Sequence, residues 1–154
     1  MPYKEKAMFR KLSAGILLIT LGWGVMAQES MPVIELTAGF HRIEAEVAAR
    51  DDQRQTGLMN RRTMPAHRGM LFAFPVANTY CMWMRNTFIP LSVAFIDENG
   101  VILNIEDMAP QSEDNHCARR PASYALEMNK GWFAQRGIVA GGRLKGLERV
   151  PRAR

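Results

Sequence analysis

The run Thr79–Ile105, TYCMWMRNTFIPLSVAFIDENGVILNI, decides the fold class of this chain. Leu91 to Asp97 is apolar at successive positions, as a strand covered on both faces requires. Asn99-Gly100 follows at once, and this pair favours a hairpin because both residues tolerate positive φ. Val101, Leu103 and Ile105 then form the returning strand. On the amino-terminal side the spacing predicts a further strand, with Cys81, Trp83 and Arg85 on one face and Met82, Met84 and Asn86 on the other. Pro90 limits its pairing.

Outward from this run the period stays near two. Ile43, Ala45 and Val47 alternate with Arg42, Glu44 and Glu46, the pattern of a half-buried antiparallel strand. Tyr124, Leu126 and Met128 alternate with Ser123, Ala125 and Glu127 in the same way. Helix is minor. Asp51 and Asp52 open a short segment that ends near Gly57, with carboxylates at the positive end of the helix dipole and a glycine suited to the C-cap. A second short turn runs from Gly131 to Gly137, and loops fill Asn60 to Arg68 and Met108 to Pro121. There is no internal repeat and no low-complexity tract.

Residues 1–27 read as a secretory signal peptide. Lys4, Lys6, Arg10 and Lys11 make a basic start, Leu12 to Met26 is apolar, and Val25-Met26-Ala27 offers a small-residue cleavage site. The apolar part is shorter than the roughly 20 residues of a bilayer-spanning helix and contains three glycines, so cleavage after Ala27 is expected over an uncleaved anchor. Residues 28–154 then form a single domain, large enough for a real hydrophobic core. The leader holds four basic residues and one acid, which lowers the +5 of the whole chain by three for the mature part. Its remaining basic residues are scattered, which argues against nucleic acid as a partner. An exported protein would be periplasmic in a Gram-negative source. Membrane contact would come only through the leader.

Cys81 and Cys117 are the two cysteines, and an even count in an exported chain predicts one disulfide. Closing that loop would stabilise the fold by roughly 3–4 kcal/mol on the chain-entropy model. The expected Cα separation is about 4.4–6.8 Å.

The residues that could carry function are few. Trp83 beside Arg85, with Asn86 and Thr87, could stack on a flat or sugar-like ligand while the guanidinium holds a carboxylate. The bland alternative makes Trp83 a core aromatic and ties Arg85 to Asp97 or Glu127. Those two acids sit in apolar strands, and if they converged they could act as acid and base in hydrolysis of an envelope polymer. Asp97 also stands where a carboxylate stabilises a turn. Met82 and Met84 offer soft thioethers that would suit Cu(I), although Met is also a common core filler. His41, His67 and His116 lack metal-ligand spacing, so no metal site is assigned, and no cofactor is implied. GxSxG, HExxH and CxxC are missing, and Gly141 to Gly146 lacks the Lys-Ser/Thr ending of a phosphate loop. Arg61, Arg62 and Arg68 could hold an anion but read first as a solvated loop.

Taken in order, Gly57-Leu58-Met59, Gly69-Met70-Leu71-Phe72, Trp83 to Thr87, Ile89-Pro90-Leu91, Phe95-Ile96-Asp97, Leu126-Glu127 and Gly137-Ile138 resemble the family called domain of unknown function 192. The resemblance runs from about Ile43 to the end. It implies a mainly β, β-rich α+β fold, similar to a compact small sandwich or distorted barrel with one or two short helices. It brings no activity with it. One departure is Gly142, where members commonly carry an acid after the glycine. The functional expectation is an exported binding module for a small ligand, an envelope glycan or another protein, rather than an enzyme. Trp83, Arg85, Asn86, Thr87, Asp97 and Glu127 are its candidate ligand residues. A hydrolase and a periplasmic copper-handling protein are the alternatives.

Overall fold

A computed structural model describes residues 30–154. The leader reading falls on residues outside this range. The chain runs β1 (Val33–Ala38), β2 (His41–Ala48), α1 (Asp51–Thr56), β3 (Arg68–Asn78), β4 (Cys81–Met82), β5 (Leu91–Ile96), β6 (Ile102–Met108), β7 (His116–Cys117), β8 (Ala122–Asn129) and β9 (Leu144–Lys145). Single-turn 3-10 segments follow β8 and β9. The fold is mainly β: a curled seven-stranded sheet of order β6-β5-β8-β3-β2-β1-β9, with β4 and β7 forming a small second sheet. Among the described residues no helix is long and apolar enough to cross a membrane.

Alternation places the expected strands where they belong. Ile43, Ala45 and Val47 of β2 are buried while Arg42 and Glu44 are exposed, and every residue of β5 is buried. The β5–β6 hairpin forms as expected, but its loop is longer than an Asn-Gly turn. Ile96 pairs with Ile102, Asp97 caps the loop by accepting from the Asn99 and Val101 amides, and only Gly100 takes positive φ. A side chain at Gly100 would also meet the Leu144 carbonyl oxygen at 2.5 Å.

That close approach matters for the curl of the sheet. Residues 141–145 bridge its two ends: Gly141 and Gly142 exchange backbone hydrogen bonds with Ile102, and Leu144 pairs with Ala38 of β1. The sheet therefore bends toward a barrel whose gap is closed by a loop segment. This removes much of the open edge that an unpaired strand would offer.

The sheet separates two apolar clusters. One face gathers Leu36, Ile43, Leu71, Ile96, Leu126 and Met128 beneath Trp132 and Phe133. The opposite face gathers Met70, Phe72, Leu91, Val93 and Phe95 beneath Leu58, Met84 and Ile89. β2 and β3 run parallel, so the chain must cross over between them, and α1 with the following loop makes that crossing. The crossover and the small β4–β7 sheet together frame the candidate site.

Two expectations are corrected. The strand predicted across Cys81 to Asn86 stops at Met82; the chain then turns, with the Thr87 amide donating to the Met84 carbonyl at 3.0 Å and Asn86 at φ 55°. The β8 pattern also misleads. Glu127 lies on the face that alternation marks as polar, yet β8 is flanked by β5 and β3, and the carboxylate is buried with 4% exposure.

Candidate functional site

Where β3 passes Pro75, its register with β8 shifts, and the residues beyond Phe74 lift away into solvent. Proline has no amide hydrogen to give the ladder, so a bend there is expected. The bend opens a cavity of about 340 Å³. Asp51 to Met59 of the crossover form one wall, Phe72 to Pro75 and Tyr80 to Trp83 form the others, and Thr87 and Glu127 complete the lining.

Each wall is fixed by identifiable contacts. Gly57 has φ 47°, and a Cβ there would come within 3.1 Å of the Phe72 ring, so glycine lets the crossover close over that ring. Phe74 stacks on Tyr80 with centroids 3.7 Å apart. The Asn60 amide donates to the Asn86 carbonyl at 2.8 Å, joining the crossover to the Met84–Thr87 turn. That turn is held again from outside, where the Met84 amide donates to Ser112 and the Gln111 amide to Thr87. Cys81 and Cys117 stand opposite each other across β4 and β7 and form a disulfide. Their Cα atoms are 3.9 Å apart, closer than expected. Directly opposed antiparallel positions bring backbones to about 4.5 Å, the lower end of the usual disulfide span.

Trp83 is 44% exposed and lines the cavity, so it is not a core aromatic. Arg85 lies over its ring, 4.3 Å from the centroid, and pairs with Glu113 at 3.0 Å rather than with Asp97 or Glu127. Arg85 therefore reaches the cavity through Trp83. Asn86 is exposed and serves the turn, whereas Thr87 is buried, lines the cavity and donates its hydroxyl to the Arg85 carbonyl. Of the six candidate ligand residues, Trp83, Thr87 and Glu127 meet at one cavity.

Asp97 does not join them. Glu127 pairs with Val93, and Asp97 lies four residues further along, roughly 13 Å by strand rise. That exceeds the roughly 5–9.5 Å between the carboxylates of glycosidases, so the paired-acid geometry is not formed. The thioethers do not gather either: Met84 is fully buried in the core, while Met82 lines the cavity. Among the described residues no three His, Cys, Asp or Glu side chains cluster as a metal site would need. The arginine loop is similarly dispersed. Arg61 forks onto Glu46 at 2.6 and 2.7 Å, Arg68 bonds Glu44, and Arg62 lies over Phe88. The Arg61 guanidinium holds the Glu46 carboxyl below its ordinary range, against the opposing effect of burial.

Glu127 is the chemically unusual group. Burial among apolar side chains pushes its carboxyl up to about 8. No described residue donates a hydrogen bond to it, and Arg54, the cation in the same lining, directs both terminal nitrogens elsewhere. Arg54 donates to the carbonyls of Ala49, Ala73 and Arg154 and pairs with Asp51. A sequence reading finds Trp83 and Glu127 because they are conspicuous residue types, but it misses Phe72, Phe74 and Tyr80 and offers Met82 only as a thioether. Those four look like ordinary strand residues, and only the Pro75 bend turns them toward a common space.

The fold and its cavity define a small β protein with a pocket between a crossover segment and a disulfide-linked flap. The chain belongs to the family DUF192, described as uncharacterised ACR, COG1430, whose pattern matches residues 33–146. It is similar to a candidate transcription regulator from Sinorhizobium meliloti 1021, with 37% identity and a TM-score of 0.70 over 75% of this chain and 95% of that one. It is also similar to a protein of unknown function from Novosphingobium aromaticivorans DSM 12444, with 29% identity and a TM-score of 0.68 over 75% and 84% of the two chains. Among curated proteins none matches this chain.

Proposed function

We propose that this chain is an exported binding module that takes a small molecule into the cavity beside Trp83. The observation that carries this reading is the cavity itself: about 340 Å³, walled by Phe72, Phe74, Tyr80, Met82 and Trp83, with a buried carboxyl in its lining. That size and mixture of apolar walls with a few convergent polar groups is what small-ligand sites have in common. Binding rather than hydrolysis is favoured because the acid that would have to work with Glu127 is occupied in a hairpin loop. The regulator name of the Sinorhizobium protein suggests nucleic acid as a partner. Against that reading, Arg61, Arg68, Arg85 and Arg119 are each paired with a glutamate of this chain and form no free basic face.

A thermal-shift panel of metals, nucleotides, sugars, peptidoglycan fragments and organic cations tests the reading. A ligand at a hundred times its dissociation constant adds about 2.7 kcal/mol of stability. Trp83→Ala should erase the shift while leaving the unliganded melting temperature near wild type. Absence of any shift across the panel, or a shift that survives Trp83→Ala unchanged, defeats it.

A further inference from the structure

We propose that the ligand is an organic ammonium ion, its nitrogen seated against the Glu127 carboxylate and its carbon substituents against the rings of Phe72, Tyr80 and Trp83. This rests on the small-molecule reading of the cavity and names the class of molecule.

The electrostatics of the lining favour a cation. Glu127 is 4% exposed, borders the cavity and takes no hydrogen bond from a described residue, and a carboxyl so desolvated without a partner is costly enough to require an explanation. A ligand that brings the missing charge supplies one. Asp51 adds a second acid to the lining, while Arg54 spends its donors on three carbonyls and Asp51. An anion would therefore find the lining's one cation already paired with Asp51, and would gain nothing from the Glu127 carboxyl. A neutral sugar would find few hydroxyl partners, because Thr56 already donates to the Asp52 carbonyl and Thr87 to that of Arg85. Aromatic faces, in contrast, attract alkylammonium groups through the ring quadrupole, and cages of this composition suit quaternary nitrogen. The stack of Arg85 on Trp83 shows that this indole face already accepts a cation from within the chain.

Protonation gives the inference a signature. With the cavity empty, burial holds the Glu127 proton up to about 8. A bound cation favours the carboxylate, so near neutrality the proton leaves for the buffer as the ligand enters. The other charged or titratable groups around Glu127 are few. Asp51, Arg54 and Tyr80 share its cavity, β5 presents none, and Arg85 is held by Glu113. On the remaining flank Arg68 bonds Glu44, and Glu46 lies two strands away in the same register row, neutralised by Arg61.

Calorimetry with choline and its uncharged carbon analogue 3,3-dimethyl-1-butanol decides the matter. Choline should bind at least about tenfold tighter than the alcohol, and its affinity should rise about tenfold for each unit of increasing pH up to about 8 and level off above it. Titrations in buffers of different ionisation enthalpy should show close to one proton released per choline. Glu127→Gln should abolish the pH dependence; if that variant does not fold, the proton release of the wild-type protein stands as the test. Equal binding of choline and the alcohol, a flat pH profile, or no choline binding overturns the ammonium inference. A neutral or anionic compound that protects in the panel, lost with Trp83→Ala, would overturn this inference while leaving the binding-module reading intact.

Discussion

The two faces of the central sheet are built from the same strands and differ in one respect. On one face Leu126 and Met128 of β8 meet Leu36, Ile43 and Phe133 in an apolar cluster that holds no buried acid. On the other, Ala125 and Glu127 of the same strand meet Met70, Phe72 and Val93, and a cavity is left open. The open face keeps a desolvated acid and an unfilled volume, both of which cost free energy. Costs of this kind concentrated at one place are the physical ground for proposing the site there.

The largest effect expected from this contrast is a pH dependence of stability. The folded Glu127 carboxyl holds its proton up to about 8, whereas in the unfolded chain it ionises near 4.5. Between those values the folded state binds more protons, so the contribution of this group falls as pH rises and is fully lost above about 8. At about 1.4 kcal/mol per pKa unit the loss is on the order of 5 kcal/mol. Glu127→Gln should remove that slope, and urea melts from acid to mildly alkaline pH should show the variant more stable at the alkaline end and similar at the acid end. Parallel slopes for both proteins would mean that the open face is not strained by this acid.

Leu126→Ala probes the apolar face. It should cost roughly 4 kcal/mol, since a fully buried leucine loses both its transfer energy and the packing around it. Ligand affinity per folded molecule should not change. A loss well under about 1 kcal/mol would show that this cluster is not tightly packed.

Arg85→Ala should have the smallest effect on stability, within about 0.5 kcal/mol, because both Arg85 and Glu113 are largely exposed and such pairs contribute little. It removes the cation stacked on Trp83, so affinity for a cationic ligand should rise or stay unchanged. A destabilisation of several kcal/mol would turn the Trp83–Arg85 stack from site rim to architecture.

How much of this was legible beforehand depends on the range of the interactions concerned. The β5–β6 hairpin, β2, α1 and the disulfide pair were readable because each depends on neighbouring residues or on cysteine count. The strand β1 was not anticipated, nor was the run of β3 past Pro75, where proline gives the ladder no amide hydrogen. At the site, Trp83 and Glu127 were readable as residue types. The aromatic wall was not, because Phe72 and Phe74 face Tyr80 and Trp83 only once the chain bends at Pro75.

The sequence by itself determined that this is a β-rich domain with a disulfide, since alternation, turn residues and cysteine parity act locally or on the whole composition. The tertiary structure decided which acid is desolvated beside a cavity. Asp97 and Glu127 look alike in sequence, each an acid bordering an apolar run. Pairing order sets one at a hairpin, where two amides neutralise it. The other it places between two strands and under a crossover, where little solvent reaches it and no described residue hydrogen-bonds it. Solvent access and register are properties of the assembled sheet, and they, rather than residue identity, set the chemistry of each carboxyl.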